Sequence, residues 1–224
     1  MAFILNIDTA VITASVCIAQ DDRPLKTVIS NVQKDSAAWL HPAIKEIFEE
    51  TGIGPQQLDA VAVSAGPGSY TGLRVGMAAT KGLAYGLQKP MIAISTLQMM
   101  AMAATGQAEG LLCPMIDARR AEIFTAIYNQ ELDEVVPPCN LIVESNPFLS
   151  LLDEKLISFF GNGCAKLQPL LQHQNARFAK IEATAEHLCS LSFKAYRQKK
   201  FADIAYTEPA YGKKFFTPPE KISR

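Results

Sequence analysis

Short apolar runs broken by turn residues fill the first thirty positions. Phe3 to Ile7, Val11 to Ala19 and Thr27 to Val32 predict three successive strands. Asp8-Thr9-Ala10 and Asp21-Asp22-Arg23-Pro24 carry the turn chemistry between them. The period then changes to a helical one. Ala37, Leu40, Ile44, Ile47 and Phe48 fall on one face of a helix capped by Asp35 or Ser36 and stopped by Gly52 and Gly54. Pro42 lies inside it, where a kink is expected. Ala60 to Val63 predicts a strand, and a glycine-rich loop leads from it into a helix ending near Leu87. Met91 to Ile94 and Thr96 to Ala104 predict a further strand and helix.

Thr105 to Gly110 is the best internal boundary and divides the chain into lobes 1–105 and 106–224. Beyond it, Leu112 to Ile116 and Ile123 to Tyr128 predict a hairpin around Asp117-Ala118-Arg119-Arg120. Leu156 to Phe160 reads as a strand running into Gly161-Asn162-Gly163, and Thr184 to Lys199 as a helix. Three strands, helix, strand, helix, strand is the order of one lobe of the actin-like (ribonuclease H-like, ASKHA) α/β fold. The second half reads as a reduced version of the same lobe, an argument from fold alone.

Composition narrows the function. The 224 residues are 49% hydrophobic and 19% charged, which excludes a disordered chain. The 21 basic residues nearly balance the 22 acidic ones, so charge gives no reason to expect strong nucleic-acid binding by the chain alone. Five scattered cysteines form no C-x-x-C and fit reduced thiols in a cytoplasmic protein. The N-terminus reads as a first strand and not as a signal peptide, and no apolar run is long enough to span a bilayer. From Lys194 onward eight basic residues face three acidic ones, which reads as a solvated, partly frayed terminus or as a contact to a nucleic acid within a complex.

The most informative stretch is Ser64 to Gly76, S-A-G-P-G-S-Y-T-G-L-R-V-G. A strand, a glycine loop and a helix place free N–H groups at a helix N-terminus, which suits an anion or a close backbone approach. The loop has no Gly-Lys-Ser/Thr ending and is not a P-loop. In a dinucleotide fingerprint the third glycine would stand one position earlier than Gly72. Asp8, Thr9, Gly66, Gly68 and Ser69 are the residues that could face a nucleotide; the plain alternative is a turn-capping Asp8 and a tight turn at Gly66 to Gly68. Gly72, Gly76, Ala79 and Gly86, with Leu83, give the following helix a face with little side chain. Interior glycines cost about 1 kcal/mol each relative to alanine, so a close helix-to-helix approach is the expected compensation, within the lobe or across an interface. Trp39, the only tryptophan, lies about 160° from the Leu40–Ile44–Phe48 face, as an interface anchor or as a ring covered by its own chain. With Ala43 it completes the expected partner-binding set.

The run A-G-P-G-S-Y-T-G-L-R-V-G, followed by Ala79-Thr80-Lys81-Gly82-Leu83-Ala84, closely resembles the TsaB (YeaZ) family. Asn6-Ile7-Asp8-Thr9-Ala10, Ser36 with Leu40-His41-Pro42, and Met115-Ile116-Asp117-Ala118-Arg119-Arg120-Ala121-Glu122 agree with its other motifs. The resemblance covers most of the chain, strongly in the first half and loosely after Asn140. It implies a non-catalytic partner of TsaD and TsaE, which together form N6-threonylcarbamoyladenosine next to the anticodon of tRNA. It further implies a homodimer when alone, tRNA contacted only within the complex, and no cofactor of its own, with ATP used by the assembled complex. The catalytic relative holds a metal with H-x-x-x-H; aligned by eye, Thr96 and Met100 stand in those places here. Neither can replace imidazole, and His41, His173 and His187 have no ligand spacing. The alternative is a small actin-like kinase or ATPase using Asp8 and Gly66 to Ser69. A metallopeptidase comes last, for want of the histidine pair.

Overall fold

The computed structural model describes residues 1–30, 36–143 and 148–212. Strands β1 (Phe3–Asp8), β2 (Ser15–Gln20), β3 (Arg23–Ile29), β4 (Ala60–Ser64) and β5 (Met91–Ile94) form a first sheet in the order β3-β2-β1-β4-β5. β1 pairs antiparallel with β2, and parallel with β4. The crossovers are α1 (Ser36–Thr51) and α2 (Tyr70–Leu87). After β5, α3 (Thr96–Ala104) leads into the second half.

Alternation along the strands decides what each face buries. Leu5, Ile7, Val16 and Ile18 meet Leu40, Ile44 and Ile47 of α1 and Met77 of α2. On the opposite face Ile4, Ala60, Ala62, Ile92 and Ile94 meet Met99 and, from the far end of the chain, Leu188, Leu191 and Ala195. Burial on both faces is why β1 and β4 read as continuous apolar runs. Each fully buried large side chain contributes roughly 1.5–3 kcal/mol.

The second sheet repeats the first. Strands β6 (Leu111–Asp117), β7 (Glu122–Tyr128), β8 (Glu134–Ile142), β9 (Ile157–Phe160) and β10 (Ala176–Ala179) lie in the order β10-β9-β6-β7-β8. Three antiparallel strands are again followed by two parallel ones. What is reduced is the helices: α4 (Leu149–Glu154) and α5 (Cys164–Leu167) have 6 and 4 residues where α1 and α2 have 16 and 18. The fold is thus the expected two-lobed actin-like α/β architecture, with its reduction confined to the crossovers.

Several expected boundaries move. β2 begins at Ser15 and not at Val11, because β1 ends at Asp8, opposite Ser15, and residues 11–14 extend past its ladder. β3 begins at Arg23, so Arg23-Pro24 belong to an edge strand; Asp21, at φ 57°, makes the turn. Pro24 is tolerated there because an edge strand leaves one row of N–H groups unpaired. Val32 and Asp35 lie outside the described residues. Pro42 sits within α1 without ending it. β8, with Pro137 and Pro138, and β10 were not foreseen. The helix expected from Thr184 to Lys199 is a 3-10 turn, Ala185–Leu188, followed by α6 (Cys189–Arg197).

The last segment returns to the first sheet. The break near residue 106 separates the two sheets, yet the chain beyond Thr184 returns to the first one. Within the tail expected to be solvated, residues 201–212 lie against the body with none of their side chains fully buried. Ala202 bridges Met91, the Ala210 N–H donates to the Ala65 carbonyl at 2.7 Å, and Tyr211 packs on Tyr70 with ring centroids 5.1 Å apart. Residues 213–224 lie outside the described part.

Candidate functional site at the glycine loop and its helix

The loop between β4 and α2 is shaped by the turn that follows β1. Ser69 N–H donates to the Ala10 carbonyl at 2.8 Å, and Thr9 Oγ1 donates to the Gly72 carbonyl at 2.7 Å. A Cβ on Gly68 would stand 2.4 Å from the Ala10 oxygen, and one on Gly72 1.9 Å from the Thr9 oxygen. A Cβ on Gly76 would meet Thr9 Oγ1 at 2.3 Å. These three glycines admit the backbone and side chain of residues 9 and 10, so the space beside the helix is filled by the chain itself. Gly66, at φ +114°, faces the tail: a Cβ there would lie 2.3 Å from the Ala210 oxygen. Ser69 caps α2 by accepting from Gly72 N–H at 3.3 Å.

Asp8 is fully buried at the end of β1. Its Oδ1 accepts from Ser64 Oγ and from the Ala10 N–H at 3.0 Å, while Oδ2 has no hydrogen-bond partner. Burial pushes its pKa up to about 6, against the lowering effect of those two donors. The turn-capping role holds at Oδ1. Of the five residues considered nucleotide-facing, Asp8 and Thr9 are buried, Gly66 lies under the tail and Gly68 under the β1–β2 turn; the Ser69 side chain is exposed.

The positions of the catalytic relative's histidines open α3. Thr96 Oγ1 accepts from Gly66 N–H at 3.0 Å, and Thr96 N–H donates to the Gly66 carbonyl at 2.9 Å. Met100 is buried, its methyl packed where a Cβ on Gly161 would stand. Both side chains therefore hold loops in place. Among the described residues, no group of three or more His, Cys, Asp or Glu side chains is placed to hold a metal.

The partner-binding set divides. Gly72 and Gly76 turn inward, and Ala43 is buried in the first core. Trp39 is half-buried and packs on that same core. Ala79 and Leu83 line a groove of about 480 Å³ between α1 and α2, together with Ala37, His41, Val75, Ala78 and Gly82. Gly86 is exposed on the next turn of α2 and borders a second depression, with Tyr85 and Ile204. Ala78, Gly82 and Gly86 make an exposed small-residue row at i, i+4 and i+8, with nothing within 4 Å of a Cβ at Gly82 or Gly86. Sequence reasoning missed Ala78 and Gly82, although their spacing was legible; glycine count alone drew attention to the inward row.

At the hairpin between β6 and β7, Arg119 and Arg120 take φ 63° and 51° and are exposed. Asp117 pairs with Lys166 at 2.5 Å and accepts the Arg119 N–H at 2.6 Å. Partial burial opposes its ionisation, but Lys166 and the Arg119 N–H hold its pKa below the usual carboxylate value. The motif thus ties the hairpin to α5, with Asn162 Oδ1 accepting the Asp117 N–H.

Two matching sheets and a glycine loop under α2 define an actin-like α/β protein of the TsaD type. A family model described as "TsaD: tRNA N6-adenosine threonylcarbamoyltransferase" matches residues 28–210. An inorganic polyphosphate/ATP-glucomannokinase from Arthrobacter shares the fold alone, with 12% identity and a TM-score of 0.50 over 89% of this chain and 100% of that one. The chain belongs to the TsaB (YeaZ) family. It is 31% identical over 216 residues to the tRNA threonylcarbamoyladenosine biosynthesis protein TsaB of Bacillus subtilis, covering 93% of each. A crystal structure of a Pseudomonas aeruginosa protein with similarity to peptidase YeaZ superposes with a TM-score of 0.85 and 26% identity, covering 95% of this chain and 100% of that one. Among the described residues, no helix is long and apolar enough to cross a membrane.

Proposed function

We propose that this chain is a non-catalytic, cytoplasmic subunit of the assembly that forms N6-threonylcarbamoyladenosine in tRNA. It pairs with a TsaD subunit through the groove between α1 and α2 and recruits TsaE. Alone it forms a homodimer over the same face. ATP is used by the assembled complex, and tRNA is contacted only there. The observation that carries this reading is the likeness to TsaB along nearly the whole chain, joined to Thr96 and Met100 at the places where the catalytic relative has histidines. The exposed row Ala78, Gly82 and Gly86 supports the docking face, because small side chains let two helices approach closely.

The test is sedimentation of the purified chain with the TsaD subunit of the same organism. A Gly82→Arg variant keeps its fold, since nothing lies within 4 Å of the added Cβ. It should lose pairing by about tenfold or more, a loss of at least roughly 1.4 kcal/mol. Unchanged pairing removes the groove from the interface. Tight binding and turnover of ATP by the isolated chain would favour the kinase or ATPase reading instead.

A further inference from the structure

We propose that Cys17 and Cys189 are a redox site: a thiol pair that a peroxide oxidises reversibly to a disulfide, tying the first sheet to the C-terminal segment. Cys17 lies in β2 and Cys189 opens α6, 172 residues later, and their sulfurs are 3.5 Å apart. Both are buried in a pocket of small residues, with Ala19 and Ala185 as the other members. A disulfide needs about 2.0 Å between sulfurs, so the gap must close by roughly 1.5 Å. The remaining contacts of the two sulfurs are long: Cys17 lies 3.6 Å from the Ile18 carbonyl and Cys189 3.9 Å from the Ala185 carbonyl. The Asn6 amide stands 3.7 Å from the Cys189 sulfur, and the Asn6 Oδ1 has no partner.

The two thiols are not equivalent. The hydrogen bond from Cys189 draws the Cys17 pKa below its usual value, against burial, and raises that of Cys189 in return. With Cys17 as the first nucleophile, its thiolate attacks one peroxide oxygen, the O–O bond breaks, and the departing hydroxide is protonated to water; exchanging the roles of the two thiols gives the same product. The resulting sulfenic acid is attacked by the Cys189 sulfur. The S–S bond forms, the S–O bond breaks, and a second water leaves with the Cys189 proton. Two electrons pass from the sulfurs to the peroxide. Both cysteines are buried, and Thr27, opposite Cys17 in the sheet, makes an exposed 3.4 Å contact with Glu186 beside them, so a peroxide enters where that contact opens. Cys113 is hydrogen-bonded to Thr125, and burial raises the pKa values of Cys113, Cys139 and Cys164.

The experiment treats the full chain with a small excess of hydrogen peroxide at neutral pH, blocks free thiols, digests without reductant and maps the peptides by mass spectrometry. The expected product is a Cys17–Cys189 cross-link, two hydrogens lighter than the parent peptides and removed by dithiothreitol. Because the bond closes so long a loop, the oxidised chain should melt roughly 5–15 °C higher. Cys17→Ser and Cys189→Ser should each abolish that gain; the wild-type map reads the cross-link even where a variant fails to fold. The proposal is overturned if both sulfurs remain alkylatable, if they end as sulfinic acids, if the cross-link needs denaturant, or if it leaves the melting point unchanged.

Discussion

Asp8 is a carboxylate with one satisfied oxygen and one bare one, and its cost depends on pH. Below about pH 4 it is neutral in the folded and unfolded chain alike. Between 3.8, its unperturbed value, and about 6 the folded chain keeps a proton that the unfolded chain gives up, so stability falls as pH rises. Above 6 the buried charge costs on the order of 3 kcal/mol. Asp8→Asn should flatten the pH dependence of urea unfolding between pH 4 and 6; an unchanged slope would place that dependence elsewhere. The glycines of α2 offer a second contrast. Gly72→Ala drives a Cβ into the Thr9 carbonyl and should destabilise by about 3 kcal/mol. Gly82→Ala meets nothing within 4 Å and should stabilise by about 0.5–1 kcal/mol. Thermal melts of the two variants read opposite signs. The glycine spacing on the helix was visible in the sequence. Which glycines point inward was not, because that depends on where the turn Thr9-Ala10 lies.

At the scale of elements, the chain's periodicity located α1, α2, α3, β4, β5 and β6 to within a residue or two, while β3 begins four residues before its expected start. Burial of strongly alternating or continuous apolar runs makes such elements legible. It failed for β8, an edge strand with two prolines and mostly exposed side chains, since such a strand has no face to mark. It failed also for the tail. Glu208 to Gly212 carries little hydrophobic signal, yet it spans both lobes. Ala210 lies on Ala65 and Gly66 of the first, Tyr211 on Tyr70, and Gly212 against the Phe124 ring of the second, at 2.6 Å from where its Cβ would be. Gly66→Ala, strained at φ +114° and blocked by the Ala210 oxygen, should release this strap. Limited proteolysis should then cleave between residues 203 and 212 at least several-fold faster than in the parent chain. Equal rates would mean that the strap is held by its other contacts.

Over the whole molecule, two sheets of the same topology each pack residues of α3 into a core, and the second has shorter helices but the same number of strands. The chain order of strands and helices, the glycine run and the Thr96–Met100 pair were all readable without coordinates. They determined the fold class and the family, because each rests on local spacing: side-chain period, turn chemistry and motif length. Tertiary structure decided the rest. Only packing shows that Gly68, Gly72 and Gly76 accommodate the chain's own turn, that Ala78, Gly82 and Gly86 face outward, and that Cys17 meets Cys189. These contacts join residues far apart in sequence, and one helix offers several nearly equivalent small-residue rows. Which row is buried is set by the elements that pack against it, and no local pattern records that choice.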